Sequence, residues 1–263
     1  MAEALATPIT APIVVLVDGS ANSRAAVRFA GEWAKETGAP LMLRGAMSVW
    51  HRSAILRGHV EQALRQEMDR YAAELSADGG VVVGGTRAIV RFGRRTGALA
   101  VAGHQPLAVV LGMEGSGGWE STTRASTADE VSATVECPVI VVPTRAPSPP
   151  SIRRPVVVSL DDSRSAEAAF AFAVFWARAH AVPVVALRGP GVTALPTPVP
   201  ADVEVEDRQV ETGLAEAVHA AAADAGLVVV ARAPSSDPGS AFHFLEPLHL
   251  QPVHCPVAVV RPH

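Results

Sequence analysis

Val14-Val15-Leu16-Val17-Asp18-Gly19-Ser20 and Val157-Val158-Ser159-Leu160-Asp161-Asp162-Ser163 are two versions of one phrase, 143 residues apart. Each is a short apolar run that breaks into acidic and small residues. The same spacing carries Ala26 to Ala169, Phe29 to Phe172, Ala30 to Ala173, Trp33 to Trp176, Ala34 to Ala177 and Pro40 to Pro183. Nearer the C-terminus the spacing falls to 118, pairing Cys137-Pro138 with Cys255-Pro256, so the second copy is 25 residues shorter. A duplication of this length decides the architecture, because whatever the first copy folds into the second must also form. Between the copies, prolines at 143, 147, 149, 150 and 155 exclude a helix and favour an extended connection. The expected organisation is a first domain over residues 11–143, a Pro-rich linker over 144–154 and a shortened second domain over 155–263.

Inside each copy the apolar runs are short and rich in Val, Leu and Ile, as fully buried strands are, and they alternate with helical patterns. In the first copy, strands are expected at Ile13 to Val17, Leu41 to Ala46, Thr86 to Val90, Leu107 to Leu111 and Pro138 to Val142. Ala26, Phe29, Ala30, Trp33 and Ala34 share one helical face within Ala25 to Thr37, and Gly38 closes that helix. A second helix is expected over Gly58 to Ala77, a short one over Thr96 to Ala102 and another over about Thr127 to Val135. Strands alternating with helices imply right-handed crossovers and a parallel sheet covered on both faces. The fold class is therefore α/β, with two tandem five-stranded parallel-sheet sandwiches. In the second copy the long second helix is replaced by the Gly- and Pro-rich stretch Gly189 to Ala201, which is expected to leave one sheet face less well covered.

Composition removes several function classes. The 263 residues are 49% hydrophobic and 18% charged, with four Trp, one Tyr and seven Phe, so general disorder is excluded and the core must be aliphatic. A net charge of −4 does not suit a polyanion partner, and DNA and RNA are not expected. No apolar run approaches the roughly 20 residues of a membrane helix. Met1 to Pro12 carries Glu3 and no basic residue, unlike the charged start of a secretory signal. The two cysteines, Cys137 and Cys255, each precede an apolar run and are read as buried thiols rather than a disulfide.

Chemistry in an open parallel sheet collects at the carboxyl ends of the strands. Two segments reach that edge in the first copy. Asp18-Gly19-Ser20 follows the first strand, where turn and helix-capping chemistry explains the same residues equally well. The second segment, Gly112-Met-Glu-Gly115 through Ala125-Ser126-Thr127, follows the fourth strand, and its glycines allow backbone N–H groups to approach a phosphate ahead of a helix N-terminus.

Taken together, these features resemble the universal stress protein family in its tandem form, with the nucleotide-binding alpha hydrolase-like fold. The resemblance rests on the first-strand Val-Asp-Gly-Ser with its small-residue helix, the loop after strand four and the closing Cys-Pro-Val, and it covers residues 11 to 143 and 155 to 261. It implies a cytoplasmic stress-response regulator, often dimeric, with ATP or a related adenine nucleotide bound in one subset. That subset carries Gly-x2-Gly-x9-Gly-Ser/Thr. This chain presents Gly112, Gly115, nine residues and then Ala125-Ser126, so the spacing survives and one glycine does not. By resemblance Asp18 and Gly19 meet the adenosine end, Ala46 sits beside the adenine, and Gly112, Gly115, Ala125 and Ser126 offer donors to ribose and phosphate.

The loop is unusually acidic, with Glu114 and Glu120 inside it and Asp129 and Glu130 just after, offset only by Arg124. Two like charges about 4 Å apart cost on the order of 1–4 kcal/mol, unless Mg²⁺ intervenes. A nucleoside or monophosphate therefore suits the loop better than a triphosphate. The second copy has Ala231-Arg232-Ala233-Pro234 in place of the glycines and is not expected to bind. It is expected to pack on the first copy as a pseudo-dimer through strand five, and the whole chain is expected to self-associate or to engage other proteins.

Catalysis is not expected, because no phosphate loop with lysine, no dinucleotide fingerprint and no nucleophile elbow occurs. Slow ATP hydrolysis is the enzymatic alternative, and a protein-interaction module without nucleotide is the other. His243, His249, His254 and His263 lie near Cys255, but their spacings match no ligand pair on one helix face, and no metal site is expected. Trp33 and Trp176 are read as packing of the first helix on its sheet, and Glu204, Glu206 and Asp207 as a solvated face.

Overall fold

The computed structural model describes residues 9–49, 53–83, 86–92, 100–113, 127–143, 152–163, 165–196, 199–232 and 255–261. The apolar runs and the polar edge segment Val205–Gln209 form strands: β1 (Ile13–Val17), β2 (Leu41–Val49), β3 (Arg87–Phe92), β4 (Ala108–Gly112), β5 (Val139–Val142), β6 (Val156–Leu160), β7 (Val184–Arg188), β8 (Val205–Gln209), β9 (Leu227–Ala231) and β10 (Val257–Val260). Every residue of β1 and β6 is buried, as expected of central strands with helices on both faces. Helices α1 (Ala21–Thr37), α2 (Ala54–Ala77), α3 (Thr127–Thr134), α4 (Ser165–His180) and α5 (Leu214–Ala222) connect them. The expected short helix over Thr96 to Ala102 falls mostly outside the described residues.

Two helices begin one turn earlier than their apolar periodicity predicts. Ser20 caps α1, its hydroxyl accepting from the Ser23 N–H at 3.1 Å, so the helix starts at Ala21 rather than Ala25. Ser53 does the same for α2 through the Leu56 N–H at 3.3 Å. Ile55 and Leu56 in that added turn are exposed, so these apolar residues lie off the buried stripe of Leu64, Met68 and Tyr71. Gly38 ends α1 as expected, with φ 70° and its N–H on the Ala34 carbonyl at 2.8 Å.

The ten strands make one sheet in the order β3-β2-β1-β4-β5-β10-β9-β6-β7-β8. The first five and the last five share the same internal order, and all pairings within each half are parallel. The halves join through one antiparallel pair, β5 with β10, in the register Val141 to Val257, Ile140 to Ala258 and Val139 to Val259. At the spacing of 118, Ala258 is the counterpart of Ile140. Each residue on one side of that pair thus faces the counterpart of its mirror position, and a local two-fold axis passes through Ile140–Ala258.

One face of the sheet carries a single continuous core. It runs from Phe29, Trp33, Leu64 and Met68 across Ile140, Val142, Ala258 and Val260 to Phe172, Trp176 and Leu187's neighbour Ala186. Here α1 and α4 meet over the seam. The Trp33 and Trp176 rings lie 4.9 Å apart, and Phe29 stacks on Trp176 at 5.8 Å with the planes 6° apart. These aromatics therefore pack on their own sheets and also on each other, which the helical spacing alone does not reveal. Ile152, at the end of the linker, is buried in the same core, and Arg153 reaches Glu36 of α1 at 3.0 Å.

The stretch after β7 does not leave the sheet bare as expected. Val203 is buried and Leu195 packs against the main core, while Asp202 holds Arg178 of α4 in a two-pronged pair at 2.6 and 2.8 Å. An irregular segment supplies the apolar cover that α2 supplies in the first half. On the opposite face the core is split, one cluster around α3 and another around α5.

Both cysteines are free, and burial pushes their thiols up to about 11 for Cys137 and about 12 for Cys255. Neither is a reactive nucleophile at neutral pH.

Truncating Trp176 to Ala removes the ring shared by both halves, and such deletions cost about 3–5 kcal/mol. Equilibrium denaturation of Trp176→Ala is expected to show an unfolding free energy lowered by that amount, read as an earlier midpoint at unchanged slope. His180, one turn further along α4, stacks on Trp176 at 4.2 Å and donates from Nδ1 to the Trp176 carbonyl at 2.8 Å. Burial lowers its pKa; that hydrogen bond and Glu36 oppose the shift, and Arg153 reinforces it. A depressed folded-state pKa leaves the protein at full stability above about pH 6.5 and costs stability as pH falls through that value. Thermal melts between about pH 7.5 and 5.5 should show this loss, and His180→Phe should flatten it.

Candidate functional site

β1 lies between β2 and β4, so the chain order reverses at the crevice beyond the carboxyl ends of β1 and β4. Ligands of open parallel sheets bind at such a reversal. Asp18 leaves β1 there, and its Oδ1 accepts from the Ser20 N–H at 3.0 Å, bending the chain into α1. Gly19 takes φ 81°, in the left-handed region, and makes the turn. Gly45 pairs with Val17, so Ala46 stands level with Asp18 on the neighbouring strand, buried beside Leu16 and Leu111. Val15 pairs with Val110, which brings Gly112 level with Val17 on the other side.

Asp18, Gly19, Ala46 and Gly112 are thus brought to one edge by three strands. Gly115, Ala125 and Ser126 lie outside the described residues, as do Glu114, Glu120 and Arg124. The chain is described again at Thr127, where α3 begins directly after Ser126. Ala128 and Val131 of α3 are buried in the cluster that holds Leu16, Ala46 and Leu111, so α3 packs against the same side of this edge.

Gly112 is explained by packing as well as by any ligand. A Cβ on it would lie 2.6 Å from the carbonyl carbon of Asn22, in the first turn of α1. The glycine lets α1 start close against the end of β4.

The corresponding edge of the second half is built differently. Asp161 keeps the turn chemistry, accepting from the Ser163 N–H at 3.1 Å and its hydroxyl at 2.5 Å. Gly189 occupies the place of Ala46, since Leu160 pairs with Arg188 as Val17 pairs with Gly45. A Cβ there would meet Leu214 Cδ2 at 2.8 Å, so the first residue of α5 fills the space. The Arg232 N–H bonds the Val260 carbonyl at 2.7 Å, just as the Met113 N–H bonds the Val142 carbonyl at 2.9 Å. Arg232 is therefore the counterpart of Met113, the residue that follows the first glycine of the first-half loop.

Arg232 is buried, and its guanidinium donates across the seam to the Ser132 carbonyl of α3. Arg261, just after β10, donates to the Ala133 and Val135 carbonyls at 3.0 and 3.3 Å. Cations at a helix C-terminus contribute about 0.3–1 kcal/mol each, and up to about 2 kcal/mol where partly buried. Neither arginine is singled out by sequence reasoning, because a cap supplied from another part of the chain leaves no local pattern. Only superposing the two copies shows that a basic residue stands where the first has Met113.

Among the described residues no three His, Cys, Asp or Glu side chains group as metal ligands. His243, His249, His254 and His263 lie outside those residues. Glu206 and Asp207 on β8 are exposed but paired, with Arg208 and Arg188 respectively, each at 2.6 Å. No helix of the described residues is long and apolar enough to cross a membrane.

Two parallel half-sheets of one strand order, each with its own reversal and joined antiparallel at one edge, define the class of α/β protein to which the chain belongs. The family model for the universal stress protein family matches residues 10–143, and the chain belongs to that family. A universal stress protein from Archaeoglobus fulgidus DSM 4304 superposes with a TM-score of 0.74 at 14% identity, covering 97% of each chain. A functionally unknown protein from Pseudomonas aeruginosa PAO1 superposes at 0.61 with 12% identity, over 98% of this chain and 95% of that one. The cytoplasmic domain of a prokaryotic cation chloride cotransporter follows at 0.53 and 10%, over 95% of each. At these identities the likenesses establish the fold alone. No curated protein matches the chain.

Gly112→Ala should be destabilising by about 1–3 kcal/mol, the usual cost of overpacking. The same change at Gly19, which has open space around its Cβ position but a positive φ, should cost less. Paired denaturant melts of the two variants measure the difference.

Proposed function

We infer that this stress-response protein binds one adenine nucleotide at the carboxyl edge of its first half and acts by binding, without turnover. The observation that carries this reading is the asymmetry of the two edges. In the first, small residues and a turn-forming acid surround the strand-order reversal, and Ala46, which the family resemblance sets beside the adenine, lies level with Asp18. In the second, Leu214 takes up the equivalent space.

The residues present suit the group. Asp18 offers a carboxylate acceptor to a ribose or adenine donor, and the first turn of α3 offers N–H donors and the positive end of its dipole to phosphate. Ala125 keeps its N–H donor where the family motif has glycine. The acidic loop favours AMP over ATP, and Mg²⁺ is needed to bring a triphosphate close to Glu114 and Glu120. The second half serves as packing partner in a pseudo-dimer within the chain, and the protein works in the cytoplasm by presenting the liganded state to protein partners or a second copy.

Native mass spectrometry of the purified chain with AMP, ADP and Mg-ATP tests this reading. One nucleotide per chain is expected, with AMP retained at lower concentration than Mg-ATP, and Asp18→Ala and Gly115→Val are expected to lose it. Two nucleotides per chain, or none at millimolar concentration, would overturn it.

A further inference from the structure

We propose that the second half clamps α3 through Arg232 and Arg261 and thereby positions the ligand edge of the first half. The inference rests on the nucleotide reading above for what the edge holds, but the clamp itself stands on geometry.

α3 has eight residues, a length at which a helix does not hold itself together in water. Its own last turn contains no basic residue. The carbonyls of Ser132, Ala133 and Val135, which close that end, receive guanidinium donors from Arg232 and Arg261. Both arginines follow strands of the other half, β9 and β10. They stand at the carboxyl edge, where a second ligand site would lie.

Antiparallel pairing of β5 with β10 makes the contact geometrically available. It sets the carboxyl end of β10 beside the amino end of β5, and α3 ends at Thr134, a short turn ahead of β5 at Val139. The edge that lost its glycines is thus turned into a cap for the neighbouring helix. At the other end, about 12 Å away at 1.5 Å per residue, α3 begins at Thr127, next to Ser126 and Ala125 of the expected phosphate-contacting segment. Ala128 and Val131 tie the helix to Ala46, Leu16 and Leu111. A shift or fraying of α3 would move its N-terminal donors and the Ala46 surroundings together. Arg232 and Arg261 are positioning residues that touch no ligand.

The test uses the full chain as wild type, Arg232→Gln/Arg261→Gln and Arg232→Lys/Arg261→Lys. Amide hydrogen exchange over 127–134 is read together with AMP and Mg-ATP affinity by calorimetry. The Gln pair is expected to speed exchange in α3 at least tenfold while β4 and β6 stay protected, and to weaken nucleotide binding five- to twentyfold. The Lys pair should restore part of both. Bound AMP should in turn slow exchange at 229–232 and 257–261 in the wild type and not in the Gln pair, a coupling that mere loss of stability does not produce. Unchanged exchange in α3 overturns the clamp, and faster exchange with unaltered affinity overturns the positioning role. A wild type that binds no nucleotide removes the proposed function and the ligand-positioning role with it, and exchange over 127–134 still decides whether the clamp exists.

Discussion

The antiparallel pairing of β5 with β10 is the constraint on which the rest of this molecule depends. Each half ends in a four-residue strand of Val, Ile or Ala whose outer edge would otherwise present unpaired N–H and C=O groups. Equivalent edges of two similar units join about a two-fold axis, and a two-fold axis perpendicular to the strands forces them antiparallel. Both first helices then fall on one face over the seam, where Phe29, Trp33, Phe172 and Trp176 fuse two cores into one. Opposite them the core is split into two clusters, and Arg232 and Arg261 reach from the second half to the carbonyls at the end of α3.

The two faces of the seam illustrate different ways of holding it. The aromatic face is apolar and non-directional; Trp33 and Trp176 are fully buried. Such burial sets how strongly the halves adhere without fixing a fine register. The arginine face makes directional hydrogen bonds to three named carbonyls and so specifies where α3 sits. Strength and alignment are supplied by separate groups.

Much of this was legible in the residues because burial on both faces of a parallel sheet demands uninterrupted Val and Leu. β1, β4, β5 and their partners in the first half emerge from such runs, as does Gly38 at the end of α1. The repeated phrase around Asp18 and Asp161 located the edge where a ligand would sit. What was not legible depended on contacts far apart in the chain. The periodicity of Phe29 and Trp33 declares a buried face but not that Trp176 lies on the other side of it. Leu195 and Val203 cover a sheet without any period, so the stretch after β7 looked like a gap. The early starts of α1 and α2 come from Ser20 and Ser53, whose capping hydroxyls precede the apolar pattern. Gly112 fitted a ligand motif, yet Asn22 explains it through close packing alone, and the two roles share one backbone position.

The local two-fold axis has a further consequence for how such a molecule diverges. In an assembly of two identical subunits every substitution appears on both sides of the axis. An arginine at the position of Arg232 would then stand in both edges, including any edge that binds. Carried on one polypeptide, the same change appears once. The tether also holds the partner half at the millimolar effective concentration typical of short connections, so their pairing does not respond to dilution. Covalent linkage therefore releases the second half from the demands of recognition. The carboxyl edge of the second half is then free to act as structural support, and the two-fold relation survives in the backbone while the side chains on the two sides differ.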